Sequence, residues 1–319
     1  MAIGGTRVVA LEEHYWDPEV MKHYKGTDSR PALRDRLLDL GQLRLKEMDE
    51  AGIDLQVLSH ANPGTQRMDA ATAVPLARQA NDALFEIISA RPDRFAAFAT
   101  LPTPDPQAAA DELERTVGEL GFKGAMVNGP TNGVFFDDKR FWPICERAQK
   151  LDVPIYLHPS VPHPAVVEAY YRDYLDDFPA LQAAAWGFTV ETATEGVRLI
   201  LSGMFDAYPD LKIILGHMGE ALPFMLWRID NSLSRPGNKR VNFREKFCRN
   251  FYVTTSGFFS TPALLCCMME MGIDRVLFSV DYPYEENVPG ADWFEKVPLS
   301  GEDKEKILNG NAVQLLHLD

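Results

Sequence analysis

The sequence predicts an α/β fold, a single (β/α)8 barrel, and three observations lead to that prediction. Short β-rich runs alternate with longer amphipathic stretches through the whole of a 319-residue chain, which is the pattern of strands joined by crossover helices. Residues able to do chemistry gather where the β-rich runs end, and in such barrels the carboxyl ends of the strands carry the active site. No Gly-x-Gly-x-x-Gly follows any run, so the rival open doubly wound sheet lacks its phosphate-binding signature.

The elements follow in order. Residues 7–12 read as the first strand, and after a polar segment to about residue 30 a helical pattern covers 31–51, with Leu33, Leu37, Leu38 and Leu43 on one side. Residues 53–59 read as the second strand, 70–90 as an Ala- and Leu-rich helix and 95–101 as the third strand. The next helix, over 105–118, has Asp105 as its cap, Pro106 in the first position and Gly118 near its end. A fourth strand at 122–128, a helix at 137–151 and a fifth strand at 153–158 come next, Pro154 being tolerable at a strand start. The longest insertion separates Pro159 from Asp210; its opening Pro159-Ser160-Val161-Pro162-His163-Pro164 excludes helix, and a helix is expected over 188–205. Strands at 212–217, 251–255 and 275–281 alternate with helices at 219–231 and 261–271, and a last helix covers 300–316. No linker rich in Gly, Ser or Pro divides the chain, so residues 1–319 are expected to form one domain with the insertion around 159–179 over the barrel mouth.

Composition narrows the function classes. A hydrophobic content of 46% supports a large core, and no apolar run reaches the length of a membrane span. The net charge of -14 repels phosphate backbones and anionic lipid, so neither nucleic acid nor membrane is an expected partner. Without a basic, apolar and small-residue leader pattern, the chain is expected to be cytoplasmic. Cys145, Cys248, Cys266 and Cys267 show no metal spacing and are expected to be free thiols.

The strand ends carry Glu12 and His14, Ser59 and His60, Asn128, His158, His217, Thr255 and Ser256, and Asp281. Glu12 and His14 are two apart on a strand and so share a face, while Glu13 points the other way. An oxygen and an imidazole converging on one point suit zinc or manganese, although the same stretch also fits a strand end with ordinary charges. His158 before Pro159 fits either a ligand or a structural histidine capping the strand. His217 lies between two glycines with Glu220 three residues on, close enough to orient the imidazole if a helix begins there; a plain strand-to-helix turn is the alternative. Asp281, ending an apolar run before Tyr282-Pro283-Tyr284, fits a ligand or a helix cap.

These stretches carry a resemblance. Ala10-Leu11-Glu12-Glu13-His14, Tyr156-Leu157-His158-Pro159, Ile214-Leu215-Gly216-His217-Met218-Gly219-Glu220, Trp227-Arg228-Ile229-Asp230, Thr254-Thr255-Ser256-Gly257 and Phe278-Ser279-Val280-Asp281-Tyr282-Pro283 resemble the amidohydrolase superfamily. Within it they resemble the branch of non-oxidative decarboxylases acting on ortho-hydroxybenzoates, such as gamma-resorcylate and 2,3-dihydroxybenzoate decarboxylases. The resemblance implies a barrel of the metal-dependent hydrolase type holding one divalent ion, zinc or manganese, on Glu12, His14, His158 and Asp281. It also implies His217 beside the metal, paired to Glu220, and Asp281 as proton donor to the ring carbon of a small aromatic carboxylate.

Arg228 would reach a neighbouring subunit's pocket in a homodimer or homotetramer; the alternative is a helix-surface arginine beside Asp230. Asn128, His60, Tyr282, Tyr284 and Trp186 are expected around the substrate, with Phe258 as a further apolar wall. Hydrolytic relatives usually begin with His-x-His and often add a lysine; here the first ligand is Glu12 and no strand ends in Lys. A metal-dependent hydrolase of a lactone, cyclic amide or unsaturated keto acid is the alternative activity. Two departures, Ser160-Val161 where relatives often carry Arg-Asn and the presence of His60, leave the ring substituents open.

Overall fold

The structure is a computed structural model that describes residues 5–24 and 30–318. Its strands are β1 (Val9–Tyr15), β2 (Leu55–His60), β3 (Phe95–Ala97), β4 (Ala99–Thr100), β5 (Ala125–Asn128), β6 (Ile155–His158), β7 (Ile213–Leu215), β8 (Phe251–Thr254) and β9 (Val276–Leu277). They run parallel in the orders β1-β2-β3 and β4-β5-β6-β7-β8-β9. β3 and β4 are two halves of one barrel strand, parted at Phe98, whose N–H donates to the Leu58 carbonyl at 2.9 Å. The ring closes where the His14 N–H donates to the Tyr282 carbonyl at 2.6 Å and the Glu12 N–H to the Ser279 hydroxyl at 2.7 Å. The result is the expected (β/α)8 barrel, with the first and last strands side by side although almost the whole chain lies between them.

Alternation sorts the apolar side chains into two layers. Val9, Leu11, Leu55, Val57, Phe98, Met126, Tyr156, Ile214 and Leu277 fill the barrel interior, where Ala312, Leu315 and Leu316 of the last helix join them. Val8, Ala10, Leu58, Ile155, Leu157, Ile213 and Leu215 face the surrounding helices. Strict alternation from Leu11 would aim Glu13 inward. Instead the β1–β2 register shifts between Ala10 and Glu13, and that irregularity turns Glu12 and His14 toward the interior.

Several expectations are corrected. The helix expected over 31–51 is two helices, Pro31–Leu38 and Gln42–Ala51. They are parted by a turn in which the Asp39 carboxylate accepts from the Gly41 N–H at 2.8 Å. In the second helix the buried residues include Arg44 and Met48 rather than Leu43. The strand expected over 275–281 ends at Leu277, because the amides beyond it are taken elsewhere: Phe278 by the Ile307 carbonyl at 3.0 Å, Ser279 by the Thr255 hydroxyl at 3.0 Å and Val280 by the Glu13 carboxylate at 3.0 Å.

The π turn at Lys306–Gly310, which interrupts the expected last helix, contains that Ile307 carbonyl. Helices Phe243–Asn250 and Asn287–Lys296 form where none was expected, the second carrying Pro289 within its first turn, where proline is tolerated. Helices Ala70–Ala90 and Thr261–Met271 lie where expected, and Asp105 caps Pro106–Gly118 by accepting from the Ala108 N–H at 3.1 Å. The insertion leaves the carboxyl end of β6 as single turns, Pro164–Val166, Val167–Tyr171, Arg172–Tyr174 and Pro179–Gln182, before the helix Gly187–Leu201.

Candidate metal centre

The ends of three strands meet at one point. Glu12 and His14 arrive on β1, His158 on β6 and Asp281 just after β9, each offering one ligand atom within 4.8 Å of all the others. The pairs are close: His14 Nε2 lies 3.2 Å from Asp281 Oδ1 and His158 Nε2 3.4 Å from Glu12 Oε1. Yet Glu12 Oε1, His14 Nε2 and Asp281 Oδ1 are buried without an aligned hydrogen bond. Buried polar atoms are ordinarily paired, so atoms that approach closely without aiming at one another fit a shared cation between them. Mixed carboxylate and imidazole donors suit a divalent ion such as manganese or zinc. His14 Nδ1 lies 3.3 Å from the Ser59 hydroxyl, a contact that fixes the ring and leaves Nε2 for the metal.

The electrostatics describe a site in which protons balance two buried acids. Burial opposes ionisation of Glu12, but the neighbouring His217 and His14 imidazoles hold its carboxyl below the usual range. Burial also opposes charge on His14, yet the neighbouring Asp281 and Glu12 carboxylates carry it up to about 9. His158 is pushed down to about 4 by burial and by the neighbouring His14. Asp281 is held well below the carboxylate range, against burial, by the neighbouring His14 and His217 imidazoles.

His217 sits on a turn of unusual shape. Residues 217–221 all have positive φ: His217 49°, Met218 57°, Gly219 73°, Glu220 53° and Ala221 61°. A left-handed run of this kind costs roughly 1–2 kcal/mol per non-glycine residue, and such strain is concentrated at functional sites. The turn brings Glu220 Oε1 to 2.7 Å from His217 Nδ1, so the expected pairing forms, although through a left-handed turn rather than a helix start. His217 Nε2 then faces Asp281 Oδ2 at 3.6 Å and Glu12 Oε1 at 3.9 Å. Burial disfavours the imidazolium, but the Glu220 and Glu12 carboxylates raise its pKa well above the ordinary value. Two glycines make the room. A Cβ on Gly216 would stand 2.7 Å from Glu12 Oε2, and one on Gly257 3.0 Å from Asp281 Oδ2 and 3.2 Å from His217 Cδ2.

The expected substrate residues divide. Tyr284 packs its ring edge-on against His14, centroids 5.5 Å apart. Asn128, on the end of β5 beside His158, keeps its Oδ1 buried and without a partner. Phe258 and Trp186 are substantially exposed, Trp186 at the end of the insertion, and Arg228 is exposed on the helix Leu222–Leu233. Two expectations are corrected. Tyr282 is buried with its hydroxyl donating to Glu47 at 2.6 Å and its ring under the Arg44 guanidinium at 4.6 Å, so it belongs to the packing behind β1. His60 accepts from the Asp17 N–H at 3.1 Å and donates to the Ala61 carbonyl at 2.8 Å; with both ring nitrogens engaged it has none left for a ligand.

Burial pushes His60 down to about 4 from 6.5. The unfolded chain therefore takes up a proton between those values that the folded chain refuses, so the stabilising contribution is intact above pH 6.5 and is lost as pH falls toward 4. By chemical denaturation, the stability difference between the wild type and a His60→Gln variant is expected to shrink across that window by up to about 3 kcal/mol. A difference independent of pH would show that His60 is not held neutral.

The sequence reading missed Tyr156, whose hydroxyl donates to Glu12 Oε2 and lies 2.9 Å from the Thr254 hydroxyl. Its signal was available, since Tyr156 stands two residues before His158 and shares its face. Alternation predicts only that Glu13 points away from the site, not what holds it there. Glu13 accepts from the amides of Val280 and Tyr282; burial opposes its charge, and those donors with the Arg44 guanidinium favour the carboxylate.

A family model described as Amidohydrolase matches residues 12–318. A gamma-resorcylate decarboxylase of Polaromonas sp. strain JS666 is 43% identical over 98% of this chain and 98% of its own. A solved 2,6-dihydroxybenzoate decarboxylase, complexed with 2,6-dihydroxybenzoate, superposes with a TM-score of 0.90 at 43% identity, covering 98% of this chain and 99% of its own. A dihydroxybenzoic acid decarboxylase from Polaromonas sp. JS666, solved with manganese and the inhibitor 2-nitroresorcinol, gives a TM-score of 0.90 at 43% identity, with coverage of 98% and 97%.

Proposed function

We propose, from the premise that this chain belongs to the amidohydrolase family, that it decarboxylates an ortho-hydroxybenzoate such as a dihydroxybenzoate without an oxidant. The observation that carries the chemistry is the double engagement of one carboxylate: Asp281 Oδ1 faces the metal point beside His14 while Oδ2 faces His217 Nε2 at 3.6 Å. Glu12, His14, His158 and Asp281 would hold the divalent ion, manganese or zinc. When bound, that ion would chelate the substrate carboxylate and its ortho oxygen and offset their charge.

The protein's own part is the proton. Glu220 keeps His217 charged, and the proton passes from His217 Nε2 through Asp281 to the ring carbon that bears the carboxylate. A C–H bond forms there and aromaticity is lost. The ring-to-carboxylate C–C bond then breaks, its electron pair returns to the ring, and carbon dioxide leaves. Tyr284 and Phe258 supply apolar surface for a flat ring, and Asn128 Oδ1 an acceptor for a hydroxyl on it.

The test is to incubate manganese-loaded protein with a panel of ortho-hydroxybenzoates and follow carbon dioxide and the phenol. Incorporation of solvent oxygen into a lactone or amide product, with no carbon dioxide from any acid, would replace this reading with the hydrolytic one. We place the reaction in the cytoplasm, and in one domain on the support of the continuous core cluster from Val8 to Leu308.

The assembly we propose is a homodimer or homotetramer through the helix Leu222–Leu233. Phe224 and Trp227 are 79% and 66% exposed there, beside Arg228, and Met269 is 84% exposed on the helix Thr261–Met271 that packs against it. Large exposed apolar groups of this kind mark association surfaces, and the arginine would supply an acidic protein with a cation for an anionic substrate. Light scattering is expected to give at least a dimer. Arg228→Ala is expected to raise KM about tenfold with little change in kcat. An active monomer, or an unchanged KM, would remove Arg228 from the site.

A further inference from the structure

Glu13 has no part in the proposed chemistry, yet its side chain is fully buried between two metal ligands in the sequence. Its Oε1 accepts from the Val280 N–H at 3.0 Å and the Ser279 hydroxyl at 3.0 Å. Its Oε2 accepts from the Tyr282 N–H at 3.1 Å and Gln56 Nε2 at 3.4 Å. The two amides are those on either side of Asp281, whose own backbone is left-handed at φ 78°. Asp281 therefore lies in a stretch that has left its strand ladder, since β9 ends at Leu277, and holds a conformation an L-residue seldom adopts unaided. Something must hold it there.

We infer that Glu13 is the positioning residue for Asp281, its carboxylate gripping the amides on both sides of that residue so that one aspartate oxygen meets the metal and the other meets His217. The inference rests on the reading of Asp281 given above.

The grip extends to the first strand. The Ser279 hydroxyl that donates to Glu13 also accepts from the Glu12 N–H at 2.7 Å, so one carboxylate ties together the backbones of two ligands. Gln56 is oriented for its part by Arg44, whose Nη1 donates to Gln56 Oε1 at 3.1 Å and whose Nη2 donates to the His14 carbonyl. A carboxylate suits the place because every partner is a donor. Glutamine, of the same shape, would turn an NH2 group against N–H or O–H, leaving buried donors unpaired.

The test is the dissociation constant for Mn2+, read by electron paramagnetic resonance of the free and bound ion, in Glu13→Gln, Glu47→Gln and Ser279→Ala. Glu13→Gln is expected to keep its far-ultraviolet circular dichroism, to weaken Mn2+ about 10–100-fold, as loss of a group that orients ligands does, and to change the bound-ion spectrum. Glu47→Gln removes the charge that accepts from the Tyr282 hydroxyl and from Arg36 without touching the amides around Asp281. It is expected to lower Tm and leave Mn2+ affinity within about threefold of wild type, whereas a purely structural role for Glu13 would make the two variants alike. Should Glu13→Gln fail to fold, Ser279→Ala, which withdraws one donor and the link to Glu12, is expected to weaken Mn2+ severalfold.

The inference is overturned by a folded Glu13→Gln with wild-type affinity and spectrum, by an equal shift in Glu47→Gln, or by wild-type affinity in Ser279→Ala where Glu13→Gln cannot be made. Metal affinity is independent of turnover, so a wild type that decarboxylates nothing would end the functional proposal and leave this one standing.

Discussion

Asp281→Asn, measured at saturating manganese, is expected to turn over at no more than about one thousandth of the wild-type kcat, the size of effect that removal of a general acid produces. The substitution is nearly isosteric, and asparagine tolerates the left-handed backbone that this position requires, φ being 78°. The fold should therefore survive, and the loss should be chemical. Two functions go at once. The carboxamide cannot carry the transferred proton, and its NH2 group, if turned toward His217 Nε2 where Oδ2 now stands 3.6 Å away, would set donor against donor. Saturating manganese separates the weaker metal binding from the lost proton. Turnover within tenfold of wild type under those conditions would remove Asp281 from the acid role and pass it to His217 or a water.

How much of this was legible in the sequence depends on whether a residue's partner is local. The pairs Glu12 with His14 and His217 with Glu220, and the order of strands that brings Glu12 beside the last one, follow from spacing and alternation, and the structure contains them. His60 stands at a strand end just as His158 does, yet the two differ in what lies opposite. The Asp17 amide and its own neighbour's carbonyl consume the nitrogens of His60, and spacing along one strand says nothing of that. Tyr282 was misread for the same reason, since Glu47 and Arg44 claim it from a helix more than two hundred residues earlier. The division of the helix at residues 39–41 serves long-range contacts too, because it lets Arg44 reach the carbonyl of His14. Where the partner is distant, the residue type reports only what it could do.

Removing the metal is the second large effect, and it should separate activity from folding. Chelation is expected to lower kcat by about a thousandfold or more, with recovery on adding manganese, because the substrate would lose the cation that orients its two oxygens. The barrel itself should persist. The strand ends around the site are held by groups other than the metal: Tyr156, itself bonded to Thr254, on Glu12, Ser59 on His14, Glu220 on His217 and Glu13 around Asp281. Circular dichroism of the apoprotein should therefore match that of the loaded protein. Stability should still fall, since an ion that binds only the folded chain contributes about 2.7 kcal/mol at a hundred times its dissociation constant. For a chain of this size that corresponds to a drop in Tm of roughly 4 °C. If chelated, metal-free protein kept both its turnover and its Tm, Glu12, His14, His158 and Asp281 would not be a metal site, and the three buried atoms left without aligned partners would need another occupant.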